Sequence, residues 1–177
     1  MQFAVKIAVS LALVLCASAV SSDNGGAVFS VLSDSERQRV EPVLSESYFK
    51  NGFPRRYLRH RLVRIDTEQL QYLLDSDWRA NDEGKTTQGV VLGLFNDLNV
   101  RVTVDLMIRN ESHGATSYIG RQKSDQPGVT SFDSFFHDSG LFKAVVRTED
   151  ASYLIENALD NTYFVILAQS PMDHAFD

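Results

Sequence analysis

The feature that most constrains the fold is a run of apolar residues at every second position from 100 to 108, with polar residues between them as far as position 105. The apolar positions are Val100, Val102, Val104, Leu106 and Ile108, with Arg101, Thr103 and Asp105 between them. Side chains of a strand point alternately to its two faces, so this pattern predicts a β-strand with one buried and one exposed face. Residues 89–95 form an apolar run before it, and the polar residues 96–99 between the two runs predict a β-hairpin.

A second region, residues 117–156, has the pattern of a β-meander. Short runs rich in Val, Ile, Phe and Tyr alternate with clusters of Gly, Asp, Asn and Pro, which are typical turn residues. Gly140 is placed to adopt a positive φ and close a hairpin after His137, and Phe142, Ala144 and Val146 form the apolar face of the next run. The nearly continuous apolar run 163–168 predicts a strand buried on both faces.

Two helices are predicted before these strands. Residues 33–36, Ser-Asp-Ser-Glu, are suited to begin a short helix that runs toward Ser47 and is interrupted by Pro42. Asp66 or Thr67 is suited to cap a second helix, with leucines at helical spacing from Leu70 onward, and residues 78–88 are predicted to form a loop. The predicted fold class is therefore mainly β with a minor α component. An antiparallel β-meander forms a sandwich or open barrel, with one or two short N-terminal helices.

The same meander resembles the propeptide region of secreted, bacterial-type reprolysin (adamalysin-like) zinc metallopeptidases. The resemblance rests on five short motifs in order: Tyr118-Ile119-Gly120-Arg121, Val129-Thr130, Asp138-Ser139-Gly140, Ala144-Val145-Val146-Arg147-Thr148 and Tyr153-Leu154-Ile155. It extends more loosely over residues 61–168. It implies a module that inhibits a protease domain or assists its folding, without catalysis of its own.

This chain departs from that family in two respects. The sequence stops at Asp177, near where the protease half of such precursors begins, so the resemblance implies either a stand-alone propeptide-like protein or the N-terminal fragment of a metallopeptidase precursor. Eukaryotic members often carry a propeptide cysteine that blocks the zinc. Here the single cysteine, Cys16, lies in the segment predicted to be removed.

That segment, residues 1–19, has the pattern of a secretory signal peptide. Lys6 precedes a short apolar run, and Ala17-Ser18-Ala19 is a small-residue cleavage site. The run is too short for a membrane-spanning helix, and Leu15 disfavours a lipid anchor on Cys16. The predicted organisation is a signal peptide (1–19), a flexible N-terminal segment with a short helix (20–54), a β-rich propeptide-like domain (55–168) and a polar tail (169–177). We expect a secreted or periplasmic protein without a stable membrane anchor.

The charge balance argues against nucleic acid as a partner. The chain has 17 basic and 23 acidic residues and a formal net charge of −6. Binding to nucleic acid depends on neutralising phosphates, for which an acidic surface is poorly suited. The apolar fraction of 44% is enough for a folded core in one domain.

No pattern for catalysis or metal binding emerges. The four histidines, His60, His113, His137 and His174, are isolated from one another, and none lies in the H-E-x-x-H frame of a zinc peptidase. The segment 133–138, Asp-Ser-Phe-Phe-His-Asp, is interpreted as a strand end and polar turn. We therefore predict a non-enzymatic protein with no catalytic residues, no cofactor and no metal.

The candidate partner-binding residues lie in a basic segment, residues 55–64. The arginines Arg55, Arg56, Arg59 and Arg61 form the one dense basic cluster of an acidic chain. The cluster is a solvated strand edge, where charges discourage aggregation, the contact for an acidic protein partner, or a protease-sensitive processing linker.

Two classes of function remain open from the sequence. The first is an exported, non-catalytic module that binds a protein partner, a reprolysin-type metallopeptidase domain, and inhibits it or assists its folding. The alternative is a secreted or periplasmic protein that binds a small ligand inside a β-barrel or sandwich.

Overall fold

The computed structural model describes residues 28–44, 57–121 and 129–170. Along the chain the elements are β1 (Phe29–Val31), α1 (Asp34–Leu44), β2 (Tyr57–Ile65), α2 (Thr67–Asp82), β3 (Val90–Phe95), β4 (Leu98–Asn110), a 3₁₀ turn (Glu111–His113), β5 (Ala115–Arg121), β6 (Val129–His137), β7 (Phe142–Thr148), β8 (Ser152–Asn157) and β9 (Tyr163–Gln169). The mainly β prediction with two helices is confirmed. The predicted signal peptide, Arg55 and Arg56, and most of the polar tail lie outside the described residues.

The strands form one nine-stranded sheet in the order β1-β2-β9-β8-β7-β6-β5-β4-β3, and every neighbouring pair is antiparallel. The sheet curls into a nearly closed barrel. Its inner face carries one continuous apolar core, and the ring of Phe95 on β3 lies 6.1 Å from that of Tyr153 on β8, although four strands separate β3 from β8 in the sheet order. Of the two predicted architectures, the structure therefore has the barrel-like one.

Both faces of β9 are buried, as its apolar run predicts. Phe164, Ile166 and Ala168 belong to the inner core. Tyr163, Val165 and Leu167 belong to a second, outer core that also holds Val40 and Leu44 of α1. Each fully buried aliphatic side chain contributes about 1.5–3 kcal/mol, so this small outer core is enough to hold α1 against the sheet.

The first helix begins where the sequence predicts. The amide of Ser33 donates to the Glu36 carboxylate (2.9 Å), and so does the Ser33 hydroxyl (2.7 Å). These hydrogen bonds cap the start of the helix. Polar contacts also join α1 to the sheet: Arg64 pairs with Glu36, Arg39 donates to the Tyr163 hydroxyl, and the Arg39 guanidinium lies over the Tyr163 ring. Pro42 lies inside the helix and does not end it before Leu44.

The second helix is longer than predicted. Asp66 caps it by accepting from the amide of Gln69 (2.9 Å), but the helix continues to Asp82. The predicted loop over residues 78–88 is therefore wrong for its first five residues. The reason is tertiary: the last turns of α2 bind β4, where the Asn81 side chain donates to the carbonyl of Val104 (3.2 Å).

The predicted facing of β4 is correct only as far as Val104. A β-bulge between Val104 and Leu106 places one extra residue opposite β5, so Leu106 (48% exposed) and Ile108 (51% exposed) face outward. Thr103, predicted to be exposed, is only 6% exposed. It lies opposite Arg121, whose side chain reaches along the strand to pair with Asp105 (3.0 Å).

The predicted hairpins are confirmed. β3 and β4 pair through the turn at residues 96–97. Gly140 has φ 84° in the turn between β6 and β7, where its amide donates to the carbonyl of His137 (2.8 Å). A side chain at Gly140 would also overlap Asn161, so the residue is required for both its conformation and its space.

Candidate functional site

The two ends of the curled sheet meet along a gap between β2 and β3, which we call the seam. β1 pairs with β2 only over Val63–Ile65, and within the described residues no strand pairs with β2 on that side before Val63. β3 is the other end of the sheet and pairs only with β4 in that part of the chain. The seam is therefore bridged by side chains rather than by a strand ladder.

Arg59 of β2 makes the outer bridge. Its guanidinium carbon lies 3.9 Å from the centroid of the Phe95 ring, and its Nη1 donates to both carboxylate oxygens of Asp97 (2.8 Å each). The bond from Arg59 is the main cause that lowers the pKa of Asp97. Because the two side chains remain 40% and 71% exposed, solvent screens this ion pair and it adds little to stability. The stacked, delocalised guanidinium is a geometry that lysine does not reproduce.

Arg61 makes the inner bridge. Its side chain is half-buried, and its Nη1 donates to the carbonyl of Gly93 on β3 (3.1 Å). Burial lowers the pKa of Arg61 below the ordinary value of an arginine. Among residues 28–44, 57–121 and 129–170, no carboxylate pairs with it. The charge of Arg61 is thus partly desolvated and neutralised by no counterion in this part of the chain.

A cleft of about 310 Å³ opens at the seam, between α1 and the β3–β4 turn. It is lined by residues of four elements and the turn: Val31, Arg37, Glu41, His60, Arg61, Leu62, Phe95, Asn96 and Asp97. The structure therefore brings two of the sequence-predicted arginines, Arg59 and Arg61, to one place. It adds to them Arg37, Glu41 and Asp97, which sequence reasoning did not connect with the basic segment.

A second polar arrangement joins α2 to the sheet. Asp77 is buried (8% exposed) and accepts from the amides of Gly89 (3.0 Å) and Val104 (2.8 Å). Two residues earlier Asp75 accepts from the Tyr118 hydroxyl (2.8 Å), and burial, followed by this carboxylate, raises the pKa of Tyr118. Both carboxylates are fully used in fixing the helix to the sheet, so their role is structural.

The histidines and the segment 133–138 do not converge on one site. His137 bonds Ser139 (Nδ1 to Oγ, 2.7 Å) and stacks on Phe135, while His113 bonds Ser112 and Asn110 on a different turn. Asp133 pairs with Arg147 (3.2 Å). Within the described ranges, no three His, Cys, Asp or Glu side chains are grouped so that they hold a metal ion. His174 lies outside these ranges.

Sequence reasoning missed two contacts, one at the seam and one between α2 and the sheet. The sequence around Asp97 indicates only a turn, and the arginine that pairs with it lies 38 positions earlier in the chain. Asp77 carries no local signal, since a polar residue in an amphipathic helix is ordinarily solvated. A buried carboxylate becomes recognisable only when the strands that it contacts have been placed.

Comparisons with protein family models, with curated proteins and with solved structures found no match to this chain. In the part of the chain that the structure describes, no helix is long and apolar enough to cross a membrane.

Proposed function

We propose that this protein is an exported, non-catalytic module of the metallopeptidase propeptide type. It binds a reprolysin-type catalytic domain, and either inhibits that domain or assists its folding. The contact surface is the seam between β2 and β3, where Arg59 and Arg61 lie.

The positions of the five propeptide-like motifs support this proposal. The motifs fall on β5, β6, β7 and β8 and on the β6–β7 turn, which are consecutive neighbours in the sheet. Motifs that share one wall of a barrel are parts of one structural unit. Similarity in all of them at once is therefore more informative than similarity in any single motif.

The observation that carries the proposal is the filled interior of the barrel. Its largest fully buried side chains include Tyr118, Phe132, Phe142 and Phe164, and adjoining rings pack edge to face or tilted at 4.6–5.7 Å between centroids. A barrel that holds a small ligand keeps that volume open instead. A barrel whose interior is filled by side chains binds other molecules through its outer surface. This favours protein binding over the small-ligand alternative.

The seam also has the physical properties of a protein-binding edge. Val31, Leu58 and Val91 are apolar side chains exposed on the strands that border it, at 59%, 64% and 46%. Strand ends that lack a ladder partner accept an added strand through backbone hydrogen bonds, a common mode of peptide recognition.

The test is an assay with a purified reprolysin-type catalytic domain from the same organism. The protein alone, with and without added zinc, is expected to hydrolyse no peptide substrate. Added to the active catalytic domain, it slows substrate hydrolysis; added during refolding of that domain, it increases the yield of active enzyme. Heat-unfolded protein at the same concentration is the control and has neither effect.

The arginine cluster gives the second arm of the test. Replacing Arg55, Arg56, Arg59 and Arg61 by serine weakens the effect, and the loss is larger at low ionic strength because salt screens exposed charges. The control replaces Arg79 and Arg101, which lie outside the cleft lining, and leaves the effect intact. Zinc-dependent hydrolysis by the protein alone contradicts the proposed function.

A further inference from the structure

Some of the charged side chains at the cleft have an ion-pair partner in the described residues, and others have none. Arg59 and Asp97 neutralise each other, whereas Arg61 has only the Gly93 carbonyl as a partner within the described residues. Arg37 and Glu41 of α1 also line the cleft, and neither side chain has an ion pair or hydrogen bond in that part of the chain, so the charges without an ionic partner are two guanidinium groups and one carboxylate. A guanidinium has several N–H donors in a planar fork that fits a carboxylate, so the cleft presents unused donors for an anion.

The shape of the cleft suits an extended chain. The amide of Asp66 donates to the carbonyl of Val28 (3.0 Å), which places the backbone groups of Asp66 on the β1 side of β2. Because backbone groups alternate along an antiparallel strand, those of Leu62 point to the same side. Leu62 lines the cleft beyond the last residue that β1 pairs, Val63. The cleft therefore lies where β1 would continue along β2.

The apolar part of the lining completes the recognition surface. Val31, Leu62 and Phe95 border the cleft together with the charged residues. A volume of about 310 Å³ holds a few side chains, near the lower limit of the roughly 300–1,000 Å³ typical of ligand pockets. Apolar side chains beside the two guanidinium groups favour a segment that presents apolar side chains as well as an acidic one.

We infer that the cleft binds an extended, acidic peptide segment of a protein partner, which adds to β2 in line with β1. A glutamate or aspartate of that segment pairs with Arg61 and Arg37, and its apolar neighbours contact Val31, Leu62 and Phe95. The inference rests on the proposed protein-binding function and names the chemistry that the partner presents.

The probe is a fluorescein-labelled pentapeptide of threonine, valine, glutamate, valine and threonine, blocked at both ends, measured by fluorescence anisotropy at low salt. A matched peptide carries glutamine in place of glutamate. The full-length protein is expected to bind the glutamate peptide about tenfold more tightly, as charge-assisted bonds to a guanidinium require. Replacing the glutamate peptide's valines by serines also weakens binding.

Three variants separate the role of the cleft from general charge effects. Arg61→Gln and Arg37→Gln each reduce the preference for the glutamate peptide, while Arg79→Gln on α2, outside the cleft lining, leaves it unchanged. Arg61 also bridges the seam, so circular dichroism must first show that Arg61→Gln is folded. Arg37 is exposed and makes no side-chain contact of this kind, so its variant decides the question if Arg61→Gln does not fold.

The outcomes distinguish this inference from the proposed function. Equal binding of the two peptides, or an unchanged preference in Arg37→Gln and folded Arg61→Gln, overturns the inference. So does succinate displacing the peptide at a concentration equal to the peptide's own Kd, which marks a site for small carboxylates. A metallopeptidase domain that is inhibited equally by wild-type protein and both cleft variants supports the proposed function while overturning the inference. Preferential binding of the glutamate peptide, without any effect on the metallopeptidase domain, supports the inference and contradicts the proposed function.

Discussion

Replacing Asp77 is the sharpest test of how the helix and the sheet are held together. Its carboxylate is 8% exposed and accepts two backbone hydrogen bonds, one from Gly89 beside β3 and one from Val104 in β4. Asp77→Ala removes both acceptors and leaves two amides without partners. No other side chain has a hydrogen bond to either amide within the described residues.

The cost follows from those two bonds. A hydrogen bond to a charged group contributes about 1.5–3 kcal/mol, so two give about 3–6 kcal/mol. Removing a buried carboxylate also relieves its desolvation, which offsets part of that loss. We expect the free energy of unfolding to fall by about 3 kcal/mol. Asp77→Asn keeps one acceptor oxygen but turns an amide donor toward the other N–H. Its free energy of unfolding is expected to fall by about half as much as that of Asp77→Ala.

Urea unfolding measures this effect directly. Trp78, the single tryptophan, packs against the core beside Asp77 and reports unfolding by fluorescence. The free energy is obtained by linear extrapolation, and an unchanged slope shows that the unfolded state is the same. Asp82→Ala, at the exposed end of the same helix, is the control and changes stability by less than about 0.5 kcal/mol. A loss below about 1 kcal/mol for Asp77→Ala, or equal losses for alanine and asparagine, refutes the reasoning.

Two further predictions concern turns and caps. Gly140 and Gly84 both have positive φ, 84° and 68°, but a Cβ at Gly140 would overlap a neighbouring side chain, whereas one at Gly84 meets nothing within 4 Å. Thermal unfolding should therefore show a larger loss for Gly140→Ala than for Gly84→Ala, which carries only the left-handed penalty of about 1 kcal/mol, and equal losses contradict the packing argument. The bonds from Ser33 are the main cause that lowers the pKa of Glu36 to about 2. A lowered pKa stabilises the folded state above the ordinary value of 4.5, and this contribution is lost as the pH falls toward 2. An NMR titration of Ser33→Ala, which removes the hydroxyl and keeps the amide, should show the Glu36 pKa closer to 4.5, and an unchanged pKa assigns the effect to the residue 33 amide and Arg64 instead.

The parts of the fold that sequence predicts are those with local causes. The alternation that ends at Val104, the turn at Gly140 and the cap at Ser33 each depend on residues a few positions apart. The bulge after Val104 does not, because it depends on how β4 is matched to β5. There Gly120 allows close approach: a Cβ at that position would overlap the carbonyl of Thr103. A pattern with period 2 cannot indicate where its partner strand skips a residue.

The end of α2 shows the same limit. Residues 78–82 are polar apart from Trp78 and Ala80, and a polar stretch after an apolar helix face is ordinarily read as a loop. What keeps them helical is the attachment of Asp77 and Asn81 to the edge of β4 around Val104. Helix propensity is a weak prior that such tertiary contacts override.

At the candidate site, sequence identifies the arginines but cannot rank them. Arg59 and Arg61 lie on the same face of β2, yet Arg59 already has a ring beneath it and a carboxylate on its donors, so a partner's acid that binds it must displace Asp97. Arg61 is already partly desolvated in the folded protein, and within the described residues no carboxylate pairs with it. A carboxylate of the partner therefore gains the electrostatic attraction to Arg61 without breaking an existing ion pair. The electrostatic contribution to partner binding should therefore depend more on Arg61 than on Arg59, although Arg59 is the more exposed of the two.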